Sequence, residues 1–260
     1  MKLVRKTSRY AVFDEVFETA EFDALREYVQ LDPYASVHQH GWEKVWRPSD
    51  GNPLQGVAVR AEIAGDAAAN PPANGGPVER RFPTHLAIDV LIRRLQFLAE
   101  DLPDLVGRAG HDFVALSARP FLYPAGSGLS WHTDIGFYSG AFTYYAHPRW
   151  SASWGGELMF ADESACDRSL GEKIRMALVV EGGHPVGTAK TIVPPSLDQE
   201  SVDAVLCERG AGEYVMALPN RLVILKQGTP HRVARVDTAA GDNVRCSIAG
   251  FFVAQRRTTS

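Results

Sequence analysis

The sequence predicts an α+β protein with a mainly β core, a barrel or two-sheet sandwich that carries N-terminal helices on its outside. Three observations lead there. Helical periodicity is confined to the N-terminal part of the chain. Beyond Asp112 the pattern changes to short β-rich runs separated by turn residues. The 260 residues, 45% of them hydrophobic, suffice for one sizeable core. A single domain over 1–260 is therefore expected, with 1–112 as helices and loops packing on the barrel. Residues 113–255 form the core, with an insert around 161–213.

Taken in order, Phe22, Leu25, Tyr28 and Val29 recur at helical steps over Thr19–Gln30, and Asp32-Pro33 ends that helix. From His38 to Gly56 the pattern dissolves into a loop rich in Trp, His, Pro and Gly. The run 65–77 (GDAAANPPANGGP) is a flexible connection. Thr84 is placed to cap a second helix, which runs to about Asp101 and buries Leu86, Val90, Leu91, Leu95 and Leu98. Strands are expected at 113–123, 130–135, 142–146, 157–160, 176–180, 214–217, 222–225, 232–236 and 244–253. Gly126, Gly155-Gly156, Pro219-Asn220 and Gly241-Asp242 turn the chain between them.

Composition narrows the function classes. A formal net charge of −4 offers no basic excess for a phosphate backbone, so nucleic acid is not an expected partner. The three cysteines, Cys166, Cys207 and Cys246, form no close pair, which suits a reducing compartment. The basic N-terminus leads into no continuous apolar core, and no apolar run is long enough to span a bilayer. The expectation is a soluble cytoplasmic protein.

The chemistry concentrates in a few motifs. Ser130-Trp131-His132-Thr133-Asp134 puts an imidazole and a carboxylate at i and i+2, which share a face of a strand. His231 follows the apolar run Leu222–Leu225 and the turn Gly228-Thr229-Pro230. Two histidines and one carboxylate on one side of an ion leave its opposite positions open, the arrangement of non-haem iron(II) oxygenases. His-x-Asp alone is short and recurs by chance in a chain with eight histidines. Its surroundings make it specific: Tyr123-Pro124-Ala125-Gly126 before it, Gly155-Gly156-Glu157 after it, then His231 and finally Arg245 inside the last strand.

In that order the motifs resemble the 2-oxoglutarate/iron(II)-dependent dioxygenases, specifically their prolyl 4-hydroxylase-like branch, over 114–252. The resemblance implies a double-stranded β-helix (jelly-roll, cupin-like) core with iron held by His132, Asp134 and His231. It further implies that Arg245 pairs with the distal carboxylate of 2-oxoglutarate, with Tyr123 adding a hydroxyl. Fe(II), 2-oxoglutarate and O2 are the implied cofactor and co-substrates. The implied reaction is hydroxylation of an unactivated C–H bond with release of succinate and CO2. Retention of the Asp134 carboxylate favours hydroxylation over halogenation, and the resemblance leaves desaturation, epoxidation and ring closure open as alternatives to hydroxylation. If 232–236 and 244–253 form an antiparallel pair, Arg245 lies close to His231.

Other residues read less specifically. Gly155-Gly156 suggests only a tight turn. Arg232 is either a surface charge or a substrate contact. His38, His40, Trp42, Trp46, Arg47 and Asp50 lie in a loop that either covers the barrel mouth or merely packs on the core. Of Phe137, Tyr138, Tyr144, Tyr145, His147 and Trp150, some line the pocket while alternate ones serve the sheet interior. With no second domain for peptide capture, a free small molecule such as an amino acid or natural-product intermediate is the expected substrate. The alternatives are a protein- or peptide-modifying prolyl-type hydroxylase and a cupin-like metal-binding protein that is not an oxygenase.

Overall fold

The fold of the chain was obtained as a computed structural model that describes residues 1–39, 46–63, 79–134, 138–161 and 212–254. Alternating side chains along each strand give its major sheet two apolar faces, and each face is covered by a different layer.

The N-terminal part contributes β1 (Lys2–Lys6), β2 (Tyr10–Asp14), α1 (Thr19–Leu31) and β3 (Ala35–Ser36). Next come β4 (Leu54–Gln55), β5 (Ala58–Glu62), β6 (Glu79–Arg81), α2 (Ile88–Glu100) and α3 (Pro103–Val106). The remaining strands are β7 (Ala115–Tyr123), β8 (Leu129–His132), β9 (Tyr138–Tyr145) and β10 (Leu158–Phe160). They continue with β11 (Glu213–Val215), β12 (Leu222–Lys226), β13 (His231–Val233) and β14 (Arg245–Val253). The major sheet runs β1-β2-β12-β9-β14-β7-β4-β3, with β5 on β7 and β6 on β5. The minor sheet runs β11-β10-β13-β8. All described pairs are antiparallel except β5–β6.

Phe13, Leu116, Phe142, Tyr144, Ile224 and Phe252 point from the major sheet to the helices, where they meet Leu25, Val29, Leu91, Ile92 and Leu95. Val12, Tyr123, Tyr145, Val223 and Leu225 point the other way and meet Leu158, Phe160, Val215 and Val233 of the minor sheet. The protein is thus a two-sheet sandwich with helices on one outer face. Every full burial of a Leu, Ile or Phe in these layers stabilises by about 1.5–3 kcal/mol before entropic costs.

The strand expectations within the described residues correspond to observed strands with shifts at their ends. The expected strand 176–180 and most of the insert around 161–213 lie outside the described residues. The N-terminal part differs from helices and loops alone, because it also supplies six strands. β2 inserts beside β12 with Phe13 opposite Leu222, and Tyr10 stacks on Phe160 at 4.3 Å. The second helix begins at Ile88 rather than at Thr84. Asp89 is the reason: its buried carboxylate accepts from the backbone N–H groups of Thr84 and His85 and from the Thr84 hydroxyl. The preceding turn therefore closes on Asp89 instead of propagating as helix. Asp32 does end α1, and its carboxylate accepts from the Val57 N–H at 2.7 Å and from Arg80. That contact ties the helix layer to β5 and β6.

Candidate functional site

His132 ends β8 and His231 begins β13, and the two are direct cross-strand partners. Their rings lie 4.2 Å apart between centroids, and both side chains are buried. In each, Nδ1 is 2.8 Å from a backbone carbonyl two residues earlier, Ser130 for His132 and Thr229 for His231. A carbonyl only accepts, so Nδ1 carries the proton and the lone pair sits on Nε2. Asp134 lies just past the end of β8, its carbonyl accepting from the Gly228 N–H. Its carboxylate oxygens are 3.8 Å from His132 Nε2 and 3.5 Å from His231 Nε2. One donor atom from each of the three lies within 4.8 Å of the others. Two neutral imidazole lone pairs and a carboxylate oxygen at that spacing could hold one divalent transition metal ion.

Burial, with the His231 ring beside it, pulls the His132 pKa down from 6.5 to about 4. His147 is similarly lowered to about 4 by burial, with both ring nitrogens against carbonyls, those of Ala217 and Cys246. The sign follows from linkage. Both folded-state values lie below 6.5, so between pH 6.5 and about 4 the unfolded chain takes up protons that the folded chain refuses. Stability is full above that window and is lost as pH falls through it, by about 1.4 kcal/mol per pH unit for each group. Melting temperatures of the metal-free protein should therefore drop steeply across this range. A flat profile would mean that the two rings are not held neutral.

Arg245 starts β14, pairs directly with Tyr123 on β7, and is 1% exposed. The guanidinium lies over the Tyr123 ring at 4.8 Å and the Tyr145 ring at 4.9 Å. Nε donates to the Gly156 carbonyl at 2.8 Å and an Nη to Ser247 Oγ at 3.3 Å. Among the described residues it forms no ion pair with a carboxylate. The Tyr145 hydroxyl is buried beside the guanidinium. Burial raises the pKa of both Tyr123 and Tyr145, which keeps their hydroxyls protonated as donors. Together these groups form a dry cationic slot with phenol donors, suited to a carboxylate.

The route by which Arg245 approaches the histidines corrects the expected hairpin. β13 belongs to the minor sheet and β14 to the major one. A short turn at Thr238–Ala240, with the Asp237 side chain accepting from the Ala239 N–H, carries the chain between sheets. Arg245 thus faces the minor sheet across the sandwich interior instead of lying alongside His231.

Other residues now have places. Gly156, at φ +74°, sets its carbonyl on Arg245, and an added Cβ would come within 2.9 Å of Arg245 Cδ. The motif read as a turn therefore also holds the arginine. Tyr144 faces the helices and donates to Asn220, whereas its neighbour Tyr145 faces the slot. Arg232 alternates with His231 onto the outer face, 5.5 Å over Trp131 and with Nε against the Met159 sulfur. Trp46 packs near Phe121 and Tyr123 at 5.9 and 6.1 Å, and the charge of Arg47 reaches His132. His38 bonds the Gly51 carbonyl, and His40, Trp42 and Phe137 lie outside the described residues. Sequence reasoning missed Gly156 and did not single out Tyr145. The alternation of Tyr144 and Tyr145 was the available signal, but which of the two faces inward depends on tertiary register.

No protein-family model matches the sequence, and no curated protein matches it. Solved structures do. A prolyl-4-hydroxylase from Pseudomonas putida superposes with a TM-score of 0.52 at 14% identity, covering 94% of this chain and 92% of that chain. HygX from Streptomyces hygroscopicus, with nickel, 2-oxoglutarate and hygromycin B bound, gives 0.50 at 12% identity, covering 95% and 83%. At such identities the likeness is one of fold. The chain shares its overall fold with a prolyl-4-hydroxylase, in agreement with the branch its motifs resemble.

Proposed function

We propose that this chain is an iron(II)- and 2-oxoglutarate-dependent oxygenase with a double-stranded β-helix core. Its reaction is hydroxylation of an unactivated C–H bond of a small molecule, with release of succinate and CO2. Residues 1–260 form one domain, with the core at 113–255. The observation that carries the reading is the buried guanidinium of Arg245, which has no carboxylate partner among the described residues. It faces the same sandwich interior as the His132–Asp134–His231 cluster. A dicarboxylate that reaches both would resolve an otherwise costly buried charge.

In this reading His132, Asp134 and His231 hold the iron through Nε2 and carboxylate oxygen atoms. The Nδ1–H bonds to Ser130 and Thr229 fix both rings and their tautomers. Arg245 holds the distal carboxylate of 2-oxoglutarate, with the Tyr123 and Tyr145 hydroxyls as further donors. The rings of Tyr123 and Tyr145 exclude water from that salt bridge, which strengthens it. When bound, iron and 2-oxoglutarate activate O2 and supply the oxidising chemistry, which the protein's side chains cannot. The chain keeps the Asp134 carboxylate that would hold the metal where halogenating relatives carry a small residue, which is why hydroxylation is assigned. HygX supports the small-molecule assignment, since that fold there holds 2-oxoglutarate together with hygromycin B.

The test is anaerobic addition of iron(II) and 2-oxoglutarate to metal-free protein, followed by visible absorbance. A weak charge-transfer band that requires both is expected. Iron binding without that band would transfer the site to another metal-dependent function. Turnover on prolyl peptides but on no free small molecule would reassign the substrate to protein.

Gly156→Ala offers a second check. Alanine at this φ costs about 1–2 kcal/mol, and its methyl displaces Arg245. The expected result is a lower melting temperature and a higher 2-oxoglutarate requirement for the band. A variant with unchanged 2-oxoglutarate affinity would remove Gly156 from the slot.

A further inference from the structure

We infer that Asp50 is a positioning residue for the metal site, acting on His132 through Ser130, and that its turn couples this site to the Arg245 slot. This role, which rests on the oxygenase reading above, needs no contact with either the metal or 2-oxoglutarate.

β8 carries His132 yet has little support from its own sheet. It lies at the edge of the minor sheet, with β13 as its one strand partner among the described residues. That pairing is itself irregular, with a register shift between His231 and Val233. An edge strand keeps a row of backbone groups that no neighbouring strand holds. The place of a ligand at its end then depends on what else packs against it.

A single helical turn, Pro48–Asp50, packs on β8. Asp50 is 4% exposed, and both oxygens of its carboxylate accept hydrogen bonds, as a buried carboxylate requires. Oδ2 accepts from the Arg47 N–H at 2.8 Å, which closes the turn. Oδ1 accepts from Ser130 Oγ at 2.5 Å, the length of a charge-assisted bond. Ser130 in turn offers its carbonyl to His132 Nδ1 at 2.8 Å. Asp50 thus holds the residue that orients the His132 ring.

The backbone makes the same junction. The Asp50 carbonyl accepts from the Gly128 N–H at 2.9 Å. Gly51 follows at φ +75°, where an added Cβ would lie 2.8 Å from the Gly126 carbonyl oxygen. The Ser49 carbonyl accepts from an Nη of Arg235 at 2.5 Å, so the turn also grips the chain just past β13. It is bonded to the segments of both histidines.

The other end of the turn reaches the Arg245 slot. Trp46 precedes Arg47 and packs near Phe121 at 5.9 Å and Tyr123 at 6.1 Å. Tyr123 lies under the Arg245 guanidinium, 4.8 Å from the ring centroid. One short segment therefore joins an aromatic wall of the slot to the strand of a metal ligand, and Asp50 is its fastening.

The test uses the full chain loaded with cobalt(II), whose visible absorbance reports the ligand geometry at the ion. Chelator competition gives the cobalt affinity, and calorimetry on the cobalt-loaded protein gives the 2-oxoglutarate affinity. Ser130→Ala deletes the hydroxyl that Asp50 holds and keeps the carbonyl. It should shift the cobalt spectrum and weaken cobalt binding by about tenfold, the low end for losing a group that supports a ligand. Its 2-oxoglutarate affinity should stay that of the parent, because the Arg47 N–H bond still closes the turn. Asp50→Ala should weaken both ligands, since it releases Trp46 as well. Asp50→Asn, which can still accept from the Arg47 N–H, should bind cobalt between Asp50→Ala and the parent. Adding Ser130→Ala to Asp50→Ala should cost little further cobalt affinity, as both delete one bond. Leu95→Ala, in the helix layer, is the control and should lower the melting temperature without changing cobalt affinity or spectrum. Unchanged cobalt affinity and spectrum in Ser130→Ala overturn the role, whether or not Asp50→Ala folds. An equal cobalt loss in Leu95→Ala overturns it too, and unchanged 2-oxoglutarate affinity in a folded Asp50→Ala removes the coupling. Should the parent bind no cobalt, the metal reading itself fails. Cobalt binding in the parent with flat variants leaves that reading standing and removes only the role of Asp50.

Discussion

Arg245→Met should give a protein that is more stable than the parent without ligands and has lost most of its affinity for 2-oxoglutarate. The side chain is 1% exposed and stacked between Tyr123 and Tyr145, and its described hydrogen bonds go to a carbonyl and a hydroxyl, both neutral. An unpaired buried cation carries a desolvation cost that neutral acceptors only partly offset. Methionine fills a similar volume and removes that cost, so the ligand-free melting temperature should rise. Binding should move the other way, since truncating one side of a buried charge pair costs about 2–5 kcal/mol, or about thirtyfold to several thousandfold in affinity. Thermal melts and titration of the charge-transfer band measure the two effects separately. A melting temperature that falls, with unchanged 2-oxoglutarate affinity, would make Arg245 a structural residue only.

His132→Ala or His231→Ala should remove metal binding and turnover while the fold is largely kept. Loss of a residue that merely supports a ligand lowers metal affinity by about 10–100-fold, so loss of the ligand itself should exceed about a hundredfold. The structural cost is smaller. Each ring donates a single hydrogen bond to a backbone carbonyl, and its removal leaves a small gap worth about 1–2 kcal/mol. Because the two residues face each other across β8 and β13, the variants should behave alike. Metal analysis after anaerobic loading, with circular dichroism as the fold control, distinguishes the effects. Full activity in either variant would sink the assignment.

The candidate site was legible in the sequence to the extent that it follows from short spacings. His132 and Asp134 converge because i and i+2 share a face, and Arg245 lies inside a run whose alternation marks it as a strand. The order of the motifs along the chain carried the rest. Local rules failed where a tertiary contact competed with them. Thr84 has a good cap residue's chemistry, yet Asp89 captured its hydroxyl and the neighbouring N–H groups, and the helix starts later. The pairing of 232–236 with 244–253 is what a short turn suggests, but β13 pairs within the minor sheet and β14 within the major one.

Sequence alone therefore determined the residue types, their spacing, the strands that carry them and the class of chemistry they suit, because periodicity and side-chain chemistry are local properties. Only the tertiary structure decided that Arg245 looks across the sandwich with Tyr145 and the Gly156 carbonyl beside it. It also decided that β2 inserts beside β12 in the major sheet, and that Trp46 packs near Phe121. Those placements depend on the register between strands far apart in the chain. Register is set by which apolar faces bury each other across the whole sandwich, and no short window of sequence contains that information.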